Sequence, residues 1–145
     1  MNRFWKTLFG AALFVPSLAA ANAINVYKTA TCGCCAEWVR HMDQAGFEME
    51  VHEVERSGLL ERKRALRVQQ RLSSCHTATV SGYVVEGHVP AVDVRRLLAE
   101  RPPIAGIAVP GMPAGSPGME YGQQSEPYNV VAFDEAGGLQ VFARH

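Results

Sequence analysis

The stretch "TATCGCCAEWVRHM" sets Cys32, Cys34 and Cys35 side by side, three of the chain's four cysteines. At the start of a helix, free backbone N–H groups and the positive end of the dipole favour thiolate over thiol. A thiolate is both a nucleophile and a soft metal ligand. The pattern therefore serves two chemistries, disulfide exchange and binding of a soft ion such as Cu(I). Cys32 and Cys35 have the C-x-x-C spacing of a dithiol exchanger, which has no use for Cys34 or for the distant Cys75. Structural stapling fits less well. Cys75 can bridge only one of the three, and a Cys32 to Cys35 bridge closes too small a loop to constrain the unfolded chain much.

The surrounding periodicities say what must position these sulfurs. "INVYK" alternates apolar and polar residues and predicts a strand over Ile24–Lys28. Cys35, Trp38, Met42 and Ala45 recur at helical spacing and Gly46 is a helix stop, so the cysteines open a helix, with Trp38 packed beneath them. "FEMEVHEVE" predicts a second strand with Phe47, Met49, Val51 and Val54 inward. A second helix is expected from Leu59 to Leu72, with Arg62, Lys63, Arg64, Arg67 and Arg71 as a solvated basic face. "SSCHTATVSGYVVEGHVP" is a hairpin turning at Ser81-Gly82. A helix then runs from about Pro90, with Val94, Leu97 and Leu98 inward, to Pro102.

Strand, helix, strand, helix, hairpin, helix is the order of a thioredoxin-like α/β domain, whose first loop delivers cysteines to the first helix. Exchangers of that fold place a cis-proline just before the third strand, opposite the thiols. Here that position holds Cys75 and His76. The expectation is that both face Cys32, Cys34 and Cys35 and complete a metal site. Residues 102–127 are rich in proline and glycine without periodicity and predict a long loop carrying Met112 and Met119, whose thioethers are soft donors. "YNVVAFDEAGGLQVFARH" predicts a C-terminal β-hairpin around Gly137-Gly138. His88, just ahead of the third helix, is a candidate ligand or helix cap. His41, His52 and His145 read as surface residues, and Met42 and Met49 as core packing.

The N-terminus, with Arg3 and Lys6 before an apolar run ending in Ala21-Asn22-Ala23, is a secretory signal peptide cleaved after about Ala23. A run broken by Pro16 is too short for a retained membrane anchor, so the mature chain has no membrane span. Residues 24–145 suffice for one domain. Charges balance at 14 basic and 14 acidic residues, and loss of the signal leaves a slight acidic excess, so nothing in the charge points to nucleic acid and no nucleic-acid partner is expected. The single arginine ahead of the apolar run points to export as an unfolded chain, which disfavours a preassembled iron–sulfur cluster. Zinc wants four well-separated ligands in one tetrahedron, whereas adjacent Cys34 and Cys35 suit thiolates that bridge Cu(I) ions.

The segments "YKTATCGCCAEWVRHMDQAGFEMEV", "SCHTATVSGYVVEGHVP", "RRLLAERP", "GIAVPGMPAGSPGME" and "YNVVAFDEAGGLQVFARH" together resemble the CopG-type family, long catalogued as a domain of unknown function. The resemblance implies a periplasmic copper-resistance protein of thioredoxin-like fold, found beside copper efflux systems, with an efflux component as a partner. Its recurrent donors fall on Cys32, Cys34, Cys35, Cys75, His76, His88, Met112 and Met119. The expected cofactor is copper as Cu(I), in a polynuclear site with a Cu(I)/Cu(II) redox role. The alternative is a thiol-disulfide oxidoreductase working through Cys32 and Cys35, and the two readings leave open whether the protein is an enzyme.

Overall fold

The computed structural model describes residues 23–145, so the expected signal peptide lies outside the described residues but for Ala23. The elements run β1 (Ile24–Lys28), α1 (Gly33–Gln44), β2 (Met49–Glu53), α2 (Arg56–Ala65), a 3-10 turn (Gln70–Leu72), β3 (Thr77–Val80), β4 (Tyr83–Glu86), α3 (Ala91–Glu100), β5 (Gly106–Ala108), β6 (Asn129–Phe133) and β7 (Leu139–Arg144). The strands form one seven-stranded sheet in the order β2-β1-β3-β4-β5-β6-β7, parallel at β1/β2 and β4/β5 and antiparallel elsewhere. The fold is thus mixed α/β, and the expected C-terminal hairpin forms as β6 and β7 and extends the sheet. Among the described residues no helix is long and apolar enough to cross a membrane.

Side chains alternate between the two faces of a strand, and the core follows that alternation. One face, through Ile24, Val26, Ala78, Val85 and Ile107, packs on Trp38 and Met42 of α1 and on Val94 and Leu97 of α3. The opposite face, through Val84, Ala108 and Phe133, packs on Leu66, Val68 and Leu72. Burying a side chain such as Met42 contributes about 2–3 kcal/mol, so α1 is fixed to the sheet by its Trp38/Met42 stripe. The β3–β4 connection has positive φ at both Ser81 (49°) and Gly82 (87°), the backbone of a two-residue hairpin turn whose twist matches the strands.

β1 and β3 are antiparallel neighbours with Tyr27 opposite Thr77. The chain leaving β1 and the chain entering β3 therefore lie at the same end of the sheet. This places the cysteines at the start of α1 beside Cys75.

Several sequence expectations need correction. The second helix ends at Ala65 instead of Leu72, because Arg67 takes a left-handed conformation (φ 56°). Val68 N–H then reaches back to the Lys63 carbonyl (2.9 Å) and Arg67 N–H to that of Arg64 (3.0 Å), the Schellman pattern that closes a helix. Lys63 is no part of a solvated face; it is 4% exposed. Val51 shares a side with the buried Val26 but sits on the edge strand and is 41% exposed. The proline-rich segment contains β5, too short to show a period. His41 and His52 are half-buried and bonded. His41 Nε2 accepts the Ala91 N–H at the start of α3 (3.1 Å), and His52 Nε2 meets Asn25 Oδ1 (2.9 Å). His145 is exposed but bonds Asp93 Oδ2 (2.7 Å).

A left-handed residue with a Cβ is strained by about 1 kcal/mol. The Arg67 guanidinium makes only a solvent-exposed pair with Glu135 (3.6 Å), worth little. Arg67→Gly is therefore expected to stabilise the fold by about 0.5–1 kcal/mol in urea denaturation.

Candidate metal centre

The first cysteine-bearing turn starts where β1 stops. Cys32 N–H bonds the Thr29 carbonyl (3.1 Å), and Cys32 takes the N-cap position of α1, so Cys34 and Cys35 fall in its first turn. Cys35 is fully buried, while Cys32 and Cys34 are half-buried. Cys32 and Cys35 are joined as a disulfide with Cα atoms 5.3 Å apart, and Cys34 and Cys75 are free thiols. In this state the four sulfurs read from the sequence are two thiols beside one disulfide.

Cys34 Sγ lies 3.7 Å from Cys32 Sγ on one side and 3.7 Å from Cys75 Sγ on the other. From Cys75 the chain of donors continues to His88 Nε2 at 2.9 Å and His76 Nδ1 at 3.4 Å. The four cysteine sulfurs lie within 4.8 Å of one another, and so do the donor atoms of Cys75, His76 and His88. The fold thus brings together six of the eight residues singled out from the sequence. Trp38 packs on the inner side, its ring 4.5 Å from that of His76 and its Nε1–H donated to the Val89 carbonyl (2.9 Å).

The two histidines are prepared differently. His88 Nδ1 donates to the Pro117 carbonyl (2.8 Å), which fixes the tautomer and leaves the Nε2 lone pair facing Cys75, the arrangement of a ligating histidine with its outer partner. His76 is fully buried and, among the described residues, its Nε2 has no hydrogen-bond partner. Burial holds both imidazoles below the usual histidine range, His76 well below it because protonating it beside a protonated His88 or beside the Lys63 ammonium is further disfavoured. Both rings are therefore neutral at physiological pH and able to offer a lone pair. Burial, reinforced by the Cys34 sulfur, pushes the Cys75 thiol up to about 12, so its proton stays on sulfur until something displaces it.

The long loop reaches this site through Met112. Met112 is 52% exposed and lines a cleft of about 450 Å³ together with Cys32, Cys75, Arg56 and Leu60. Met119 is half-buried and folds a turn, its N–H on the Ser116 carbonyl (2.7 Å) and its own carbonyl accepting Gly115 N–H (3.0 Å). A larger cleft of about 670 Å³ lies between the end of α2 and the β6–β7 turn and contains none of the candidate residues. The sulfur-lined cleft is the chemically relevant one.

Residues 109–127 form a strap. Ser116, Pro117 and Gly118 are buried, and a Cβ on Gly118 (φ 87°) would come within 2.6 Å of the Cys34 carbonyl and 2.9 Å of the Trp38 nitrogen. Ser74 Oγ donates to the Gly111 carbonyl (2.5 Å), tying the entry to β3 to the same strap. Sequence reasoning missed Pro117, Gly118, Ser74, Lys63 and Glu86. Only Glu86, a charge at the end of the otherwise apolar strand "YVVE", left a readable signal.

Comparison with known proteins bears on this geometry. A family model described as a protein of unknown function, DUF411, matches residues 72–119, the stretch that carries Cys75, His76, His88 and the first part of the strap but not the first three cysteines. Two solved structures of a copper resistance protein, copG, are similar over most of the chain. Form 2 is 43% identical with a TM-score of 0.79, and form 1 is 42% identical with the same score; each comparison covers 86% of this chain and 98% of that one. No curated protein matches the chain.

Two outcomes follow from the site as built. Gly118→Ala is expected to destabilise the protein by about 1–3 kcal/mol in urea, since the Cβ meets rigid backbone and the residue must keep a left-handed φ. With the disulfide intact and no metal, Cys75 alkylation is expected to accelerate about tenfold per pH unit between pH 7 and 10 without levelling, because only thiolate reacts. A plateau near pH 8 in mass-mapped alkylation would contradict the buried, protonated thiol.

Proposed function

The chain belongs to the CopG-type family of copper resistance proteins, and from that premise we propose that it holds copper as Cu(I) at the cysteine cluster. The observation that carries the reading is the unbroken run of donors Cys34 Sγ, Cys75 Sγ and His88 Nε2, with contacts of 3.7 and 2.9 Å. Thiolates and neutral imidazoles are the ligand types that favour Cu(I), and no carboxylate belongs to either donor group, as a harder ion would want. With the disulfide closed, Cys34, Cys75, His88 and His76 are the donors. Reduction by two electrons and two protons adds the thiols of Cys32 and Cys35, and sulfurs this close suit ions that share them in a polynuclear site. Bound copper would supply one-electron chemistry between Cu(I) and Cu(II). Met112, on the cleft beside Cys32, and Met119 are the accessory thioethers of this reading.

The same proposal takes the protein as periplasmic, exported by residues 1–23, and as a single thioredoxin-like domain over residues 24–145. The neighbouring strands β2-β1-β3-β4, with α1 between β1 and β2 and α3 after β4, support that fold assignment.

A specific observation favours a second reading. The Cys32–Cys35 disulfide, with Cys32 on an open cleft, is what a thiol-disulfide oxidoreductase presents. That reading gives Cys34, Cys75 and the oriented His88 no work to do.

An anaerobic Cu(I) titration of the reduced protein against a competing chelator separates the two. Copper binding predicts two or more ions per chain, with Cys34→Ser, Cys75→Ser and His88→Ala each lowering affinity by about tenfold or more. No Cu(I) binding, with disulfide exchange undiminished in Cys34→Ser and Cys75→Ser, would move the protein to the oxidoreductases.

A further inference from the structure

Glu86 is fully buried at the end of β4, and Lys63 of α2 is buried beside it; their side chains are in direct contact through Nζ and Oε1. Burying an ion pair forfeits the hydration of both charges, and a well-packed apolar pair of similar volume commonly serves stability as well or better. The other contacts of the pair indicate a different use. Glu86 Oε1 also accepts the backbone N–H of Ser74 (2.8 Å), and Lys63 Nζ also donates to the backbone carbonyl of His76 (3.1 Å). Those two groups belong to the residues immediately before and after Cys75. The segment they hold lies between the 3-10 turn and β3; the His76 carbonyl also accepts the Gly87 N–H (3.2 Å), but among the described residues no strand pairs with Ser74 or Cys75.

We propose that the Lys63–Glu86 pair is a positioning device for Cys75: it grips the backbone on both sides of that cysteine and so sets the sulfur between Cys34 and His88. The grip is charge-assisted at each end, an anion on an N–H and a cation on a carbonyl, and such bonds are stronger than neutral ones. It also crosses elements. Lys63 comes from α2 and Glu86 from β4, so the position of Cys75 is referred to the body of the fold and not to its own loop. At His76 the ammonium adds to the bond from the Gly87 N–H, and at Ser74 the carboxylate is the acceptor for the backbone N–H, so the two charges act on opposite sides of Cys75.

The metal readout below rests on the Cu(I) reading, whereas the exchange and alkylation readouts do not. Lys63→Met alone strands a buried carboxylate and is expected to unfold easily. Lys63→Met/Glu86→Leu removes both charges and is the informative variant. It is expected to unfold cooperatively in urea near the wild-type midpoint. At the same time, in the reduced metal-free protein, Ser74 amide exchange and Cys75 alkylation should each speed up about tenfold or more, and Cu(I) affinity should fall by about tenfold or more. A folded double variant with wild-type exchange and alkylation overturns the proposal. So does one that loosens at Ser74 yet keeps wild-type Cu(I) affinity. If the double variant does not fold, the wild type decides: Ser74 amide protection approaching that of β3 supports the grip, and exchange at the rate of an open loop overturns it. Failure of the wild type itself to bind Cu(I) sinks the copper reading and leaves exchange and alkylation to judge the grip.

Discussion

The antiparallel pairing of β1 with β3 is the constraint on which the site depends. Register sets Tyr27 opposite Thr77, so the loop that follows one strand and the loop that precedes the other must share an end of the sheet. Cysteines 41 residues apart in the chain thereby come within 3.7 Å. A shift of that register by one residue would turn every side chain of β3 to the other face and carry Cys75 away from α1. The buried stripe of Ile24, Val26, Ala78 and Val80 against Trp38 and Met42 holds the register, because slipping it would expose the core. The packing core and the placement of the sulfurs are therefore one specification.

Around that meeting point the protein gathers donors that are soft and mostly uncharged. Two imidazoles are kept neutral by burial, and one thiol keeps its proton for the same reason. A hard cation would find little here to compensate for the water it must shed. A soft ion able to displace a thiol proton gains covalent character from sulfur and loses little hydration. The buried charges close by, Lys63 and Glu86, are turned on each other and on the backbone.

Much of this was legible in the sequence, and the failures have physical reasons. Ile24–Lys28 could be read because alternate residues face core and solvent, and α1 because its buried residues recur at helical spacing. The β3–β4 hairpin announced itself by Ser81-Gly82, and Cys75 and His76 by standing where an exchanger carries proline. β5 has three residues, all buried, flanked by prolines, and shows no period. Lys63 was hidden in a run of arginines that are indeed solvated, and its partner Glu86 stands 23 residues further on. His88 owes its orientation to the carbonyl of Pro117, a group that every residue type possesses. The end of α2 was misplaced because an arginine occupies the left-handed position where glycine is usual.

β5 and β6 are adjacent antiparallel strands, and a turn of two to five residues would suffice to connect such a pair. This chain spends residues 109–128 on the journey. The detour adds nothing to the sheet's connectivity, yet it supplies the carbonyl that orients His88, the hydrogen-bond acceptor for Ser74 and one wall of the cleft. In architectural terms the strap is a cassette carried between two neighbouring strands and seated on the start of α1 at Gly118. A change in its outward-facing residues would retune the wall of the cleft while leaving strand order and register as they are.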